Sequence, residues 1–240
     1  WTAQASSRPT NTPDWEQTGV AMGSAERADA DNTAPSSAVY PRLTLQRMLR
    51  SRAVWAVIVA HVCINWSLYL VLSWFPTFIN QELGADLQLA GFLALAPTVV
   101  SLIMAPVAGL LFDRFIARGA NRLKVRRVMQ TVAFAGIAGA MLAITYTDSL
   151  FLSVAIITVS NALTAFSVGG FATNHLDIAP NQSGFLMGVT NTLAAISSSV
   201  SVLVSGFIQD ATGGWDAVFL TAALVSVVGA LIYTVFSGVE

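Results

Sequence analysis

The chain has 240 residues, 55% of them hydrophobic and only 10% charged, with a net charge of −1 and a mean hydropathy of +0.65. Globular domains carry roughly 25% charged residues, so this composition excludes a water-facing surface, and with it a soluble enzyme or a nucleic-acid binder. Eleven of the charged side chains fall in residues 1–52 and seven more in 113–127, which leaves long stretches suited to a bilayer.

Residues 1–41 hold Pro9, Pro13, Pro35 and Pro41 among Ser, Thr, Ala and Asp, with no helical or strand period. Such a segment buries too little apolar surface to offset chain entropy and reads as a disordered linker. The chain opens on Trp1 without a basic-then-apolar leader, so the sequence reads as a fragment or a processed product. Residues 42–52 form a basic segment with Arg42, Arg47, Arg50 and Arg52. Over 53–240, six uncharged windows follow one another, each able to supply the roughly 20 helical residues that cross a bilayer. They predict spans at 53–76, 88–112, 126–146, 150–174, 183–208 and 216–236.

The loops orient this all-α, six-helix membrane domain. In a six-span arrangement all 12 basic residues lie on one side, while Glu82, Asp86, Asp148, Asp210 and Asp216 lie on the other. Basic loops stay on the cytoplasmic side, so both termini are expected there, or in the equivalent stroma. Five or seven spans would split the basic loops. A transmembrane β-barrel does not fit, because the segments lack apolar/polar alternation and are about twice the length of a spanning strand.

Polar groups inside hydrocarbon are costly and tend to face cavities or neighbouring helices. In the first span His61, Asn65, Tyr69 and Ser73 recur every four residues, a stripe that could line a polar path. His61 reads either as a proton-coupling group or as a neutral, hydrogen-bonded histidine. The second span contains Pro97 and Pro106, each a source of a kink. The fourth carries Ser160, Asn161, Thr164, Ser167 and Asn174 beside Gly169 and Gly170; the fifth carries Asn191, Ser198, Ser201 and Ser205 behind a GxxxG face at 184–188. His61, Asn65, Tyr69, Asn161, Thr164 and Asn191 are the substrate-cavity candidates, whereas most of the serines read as packing surface. No catalytic motif and no metal-ligand cluster occurs, and the lone Cys63 has no partner. The expected reading is therefore a non-enzyme without cofactor or metal, save a coupling Na⁺ or H⁺. Charged side chains fall only near the ends of spans, so the cation that would balance an anionic substrate is expected from elsewhere.

Four stretches resemble a known family. Gly109, Asp113 and Arg114, continuing to Arg126 and Arg127, resemble the cytoplasmic G-x-x-x-D-R signature of the major facilitator superfamily, in the copy between its eighth and ninth helices. Asn174, His175, Asp177 and Pro180, followed by Gly184, Gly188 and Asn191, resemble helices ten and eleven of its anion:cation symporters, the group of sodium/phosphate cotransporters, sialin, vesicular glutamate transporters and plastid phosphate transporters. Asn65, Trp66, Tyr69 and Trp74 to Thr77 resemble helix seven, and Trp215, Val218, Phe219, Ser237 and Gly238 the last helix.

The resemblance covers about 53–240 and implies the carboxy-terminal half of a twelve-helix carrier, its partner an absent six-helix half. It implies a small anion as substrate, Na⁺ or H⁺ coupling, and alternating access by rocking of the halves. It also implies that Tyr69 lines the substrate cavity, and that Asp113 and Arg114 are the acid and base of a gating network with Asn174, His175, Asp177 and Pro180 close by. Vesicular glutamate transporters have a cavity arginine where this chain has Ile64, which points towards inorganic phosphate or another small anion. Asn181 stands where the motif usually has a basic residue. The alternative is a truncated or non-transporting membrane module that needs a partner half.

Overall fold

A computed structural model describes residue 48 and residues 50–239. The linker expected over 1–41 and most of the basic segment over 42–52 lie outside the described residues. The described chain is all-helical, and six of its helices are long and apolar enough to cross a membrane, as the sequence predicts.

Helix α1 (Arg52–Gln81) is followed by α2 (Leu87–Leu93) and α3 (Leu95–Ala117), which together form the second span. Then come α4 (Arg122–Ile144), α5 (Leu150–Thr164), the five-residue α6 (Asn174–Ile178), α7 (Ser183–Thr212) and α8 (Asp216–Phe236). Short polar residues cap several starts. The side chains of Ser51, Asp86, Asn121 and Ser149 each accept a hydrogen bond from the backbone N–H three residues on, satisfying a donor that the helix leaves free. Gly213 ends α7 with a φ of 72°, a left-handed conformation that glycine adopts without steric cost.

Two of the boundaries that differ from the sequence expectation involve proline. α1 runs through Pro76 to Gln81, since a proline inside a membrane helix forfeits one backbone bond and neighbouring groups compensate. The second span breaks at Ala94. Pro97 has no N–H for the Leu93 carbonyl and its ring crowds that oxygen, so α2 stops at Leu93.

α1 is the central helix, packed against α7 and α8; α8 also packs on α4, α4 on α5, and α5 on α3. The main core includes Val57, Ile64, Leu70, Phe78, Phe134, Ile137, Met141, Ile157 and Phe219. Ser67 and Ser226 share a hydrogen bond of 3.2 Å between α1 and α8. Outward faces are also apolar: Leu102 on α3 is 76% exposed and Phe207 on α7 72%. With helices that satisfy their own backbone and apolar side chains facing outward, the chain is an integral, multi-pass membrane protein.

Three helices approach closely at Gly229, where an added Cβ would stand 2.7 Å from Phe134 Cζ and 2.9 Å from Cys63 Cβ. Gly229→Ala is expected to destabilise the bundle by about 1–2 kcal/mol through overpacking, read as a lower unfolding temperature in detergent.

The ends of the helices separate by charge. Arg127 donates to Ser237 Oγ at 3.0 Å and to its carbonyl at 2.8 Å, and Gly238 lies against Ala53. The starts of α1 and α4 therefore share one face with the end of α8. On the opposite face, Glu82, Thr145, Thr147, Asp148 and Asp216 rim a cleft of about 240 Å³.

Candidate functional site

The fourth span does not reach 174 as one helix. α5 ends at Thr164, tightens into a 3₁₀ turn over Ala165–Val168, and leaves helical geometry before α6. Gly169 and Gly170 occupy the break because no side chain fits there. A Cβ on Gly169 would meet Met129 at 2.5 Å, and one on Gly170 would meet Gln130 Oε1 at 2.4 Å and the Gln130 Cα at 3.2 Å. The backbone of α4 lies directly behind the break.

Backbone groups released from a helix within a membrane need partners, and α4 supplies them. Arg126 Nη1 donates to the carbonyls of Gly169 (3.1 Å) and Gly170 (3.4 Å) and to Thr173 Oγ1 (2.6 Å). Gln130 Oε1, one turn further along the same face, accepts from Phe171 N at 3.1 Å. Arg126 Nε also donates to Asp177 Oδ2 in a buried ion pair, while Arg122 Nη1 reaches Asp177 Oδ1 at 2.8 Å. The Arg126 guanidinium sits 4.5 Å from the centroid of the Phe112 ring, a further favourable contact for a cation. Arg126 is only 2% exposed. Its burial is compatible with its charge because the carboxylate, two carbonyls and a hydroxyl surround it.

A second polar cluster lies against the break. Asn174 Nδ2 donates to the Tyr233 hydroxyl at 3.2 Å. His175 Nδ1 lies 3.0 Å from the Ala172 carbonyl, and Nε2 lies 3.0 Å from Thr190 Oγ1 on α7. The His61 ring stands 4.8 Å from that of Phe171 and 6.5 Å from that of His175. His61 Nδ1 and Asn174 Oδ1 are buried without a hydrogen-bond partner.

The sequence-derived candidates fall into distinct places. The first-span stripe winds from buried His61 through half-buried Asn65 to exposed Tyr69 and Ser73. Four residues turn a helix by about 400°, so each step drifts by about 40° and His61 and Ser73 differ by about 120°. Tyr69 lines an open groove of about 580 Å³ with Ser198, Ser199 and Val202 of α7. Asn161 and Thr164 line a narrow cleft with Ser67 and Ser160, each also bonded to a carbonyl of its own helix. Asn191 is exposed on α7.

Among the gating candidates, Asn174, His175, Asp177 and Arg126 meet at the break, and Arg127 holds the end of α8. Gly109 is half-buried, and Asp113, Arg114 and Pro180 are exposed. The described ion pairs are those of Asp177 with Arg122 and Arg126, so the buried charge network stands beside Asp113 and Arg114 rather than on them. Gln130, Phe171, Thr190 and Tyr233 escape the sequence reading. Only the four-residue spacing of Gln130 from Arg126 could have pointed to it.

Fold and site together define a polytopic helical membrane protein with a discontinuous span braced by a buried arginine. A family model for the Major Facilitator Superfamily matches residues 6–202, and the chain belongs to that superfamily, a family of transporters. Several relatives are similar to it. "Sodium-dependent phosphate transport protein 1, chloroplastic" of Arabidopsis thaliana is 32% identical over 237 residues, which cover 99% of this chain and 45% of that protein. "Probable anion transporter 4, chloroplastic" of Oryza sativa subsp. japonica is 33% identical, covering 79% of this chain and 32% of the relative. "Sialin" of Homo sapiens is 36% identical, covering 79% and 39%. These names fit the anion:cation symporter group. The chain spans from about a third to just under half of their lengths.

Proposed function

We propose that this chain is the carboxy-terminal half of a secondary active carrier for a small anion, inorganic phosphate or an organic anion, and has no enzymatic role. The observation that carries this reading is the broken fourth span. Carriers use discontinuous spans whose free backbone is braced by side chains, and here Arg126, Gln130 and Asp177 brace such a break just inside the face that carries Arg122 and Arg127. Na⁺ or H⁺ supplies the driving force, and a further six-helix half completes the cavity. The face with Arg52, Arg122 and Arg127 is cytoplasmic or stromal by its positive charge, and both ends of the six-span domain lie there. The names of the relatives, phosphate transport protein and sialin among them, favour an anion.

Tyr69, open to its groove with the α7 serines, is the side chain best placed to meet substrate. The complete polypeptide encoded by its gene, in proteoliposomes, is expected to take up labelled phosphate saturably, with competing organic anions reporting selectivity. Absence of uptake of phosphate and of every organic anion contradicts the proposal. Tyr69→Ala is expected to lower uptake about tenfold, equivalent to about 1.4 kcal/mol of binding. Ser201→Ala is expected to be near neutral, since its hydroxyl bonds only to Ser198 O of its own helix.

A further inference from the structure

His175 sits in a hydrogen-bond arrangement that accepts a proton without leaving any group unsatisfied. Its Nδ1 faces the Ala172 carbonyl, which only accepts, so Nδ1 carries a hydrogen. Its Nε2 faces Thr190 Oγ1, whose single proton has two destinations. When the ring is neutral, the Thr190 hydroxyl donates to Nε2. When the ring is protonated, Nε2–H donates to Thr190 Oγ1, and the hydroxyl proton turns to the Met187 carbonyl 3.1 Å away. Both states are complete, and the change between them is the rotation of one hydroxyl.

We propose that His175, with His61 as its neighbour, is a proton-binding site, and that the coupling ion of the carrier is therefore a proton. This rests on the carrier reading above. Protonation converts both contacts of His175 into charge-assisted hydrogen bonds, one to the broken segment at Ala172 and one to α7 at Thr190. The proton therefore ties the break in the fourth span to the fifth span. His61 stands across Phe171 with its buried Nδ1 free of a partner, and serves as the second station. Two adjacent imidazoles do not readily carry charge together, so the pair holds one proton.

The surrounding charged and titratable groups leave this role to the histidines. α6 contributes Asp177, already paired with Arg122 and Arg126 of α4. Arg127, also on α4, is bonded to Ser237. α8 contributes Tyr233, bonded to Asn174, and α1 contributes Cys63 besides His61. α7 has no titratable side chain near Thr190; its Asp210 lies between five and six turns away, at about 3.6 residues per turn.

The test is uptake of inorganic phosphate by proteoliposomes of the complete polypeptide, under a proton gradient or a Na⁺ gradient. A gradient of about two pH units supports up to about 100-fold accumulation for one coupled proton. The wild type is expected to accumulate phosphate under the proton gradient alone. His175→Gln keeps a donor towards Thr190 but cannot titrate, and is expected to lose that response. Thr190→Val removes the acceptor that stabilises the imidazolium, and is expected to move the pH midpoint of uptake about one unit towards acid. Should His175→Gln fail to fold, the Thr190→Val midpoint decides: an unshifted midpoint overturns the proposal. Uptake driven by Na⁺ and indifferent to pH, or a His175→Gln variant with the wild-type pH profile, overturns the proton site and leaves the carrier reading standing. No uptake by the wild type under either gradient removes both.

Discussion

Arg126→Ala is expected to destabilise the protein by about 3–5 kcal/mol, because it leaves Asp177 buried without its closest partner. The arginine makes a buried ion pair, donates to two carbonyls and the Thr173 hydroxyl, and lies over Phe112. No lysine reproduces this set, since an ammonium is compact and lacks the planar fork of donors. Arg122 cannot substitute, because its side chain is 53% exposed whereas that of Arg126 is 3% exposed. Thermal unfolding of the purified protein in detergent, followed by tryptophan fluorescence, measures the loss. The double variant Arg126→Ala with Asp177→Ala is expected to be more stable than the sum of the single changes predicts, since removing the carboxylate relieves the stranded charge.

The second large effect is expected at Gly170. An alanine there places Cβ 2.4 Å from Gln130 Oε1 and 3.2 Å from the Gln130 backbone. The side chain must swing away, and it then abandons the Phe171 N–H it now satisfies. Overpacking and a buried unsatisfied donor together cost about 3 kcal/mol. Gly169→Ala is expected to be milder, because its nearest obstacle is the flexible end of Met129. The order of the two unfolding temperatures checks the argument. If Gly169→Ala were the more damaging, the contact of Gly170 with Gln130 and the Phe171 N–H would not be what limits the break.

How far the sequence foretells this arrangement differs from element to element. The six spans follow from uncharged stretches alone, since hydrocarbon tolerates few charges and the rule needs no tertiary knowledge. The break at Ala94 is also legible in principle, because Pro97 dictates it locally. The break after Thr164 is not. Gly169 and Gly170 stand out as a pair, but what removes the helix there is the side-chain wall of α4, distant in sequence.

Arg126 shows the same limit. Six basic residues between 114 and 127 read together as a cytoplasmic loop, and nothing local separates the buried one from its exposed neighbours. Only the approach of Asp177 and the Gly169 carbonyl does so. The Asp113 and Arg114 pair illustrates the converse, being prominent as a motif and exposed in the folded chain. His61 and Tyr69 look equivalent by spacing, yet helical drift buries the first and opens the second.

The claim that this chain forms half of an alternating-access carrier is tested most directly by counterflow. Proteoliposomes of the complete polypeptide are loaded with unlabelled phosphate and diluted into a trace of labelled phosphate, with no ion gradient. A carrier that returns across the membrane loaded is expected to give a transient accumulation of label well above the external concentration. Label that enters at the same rate into empty and loaded vesicles, and never exceeds the outside concentration, would contradict it.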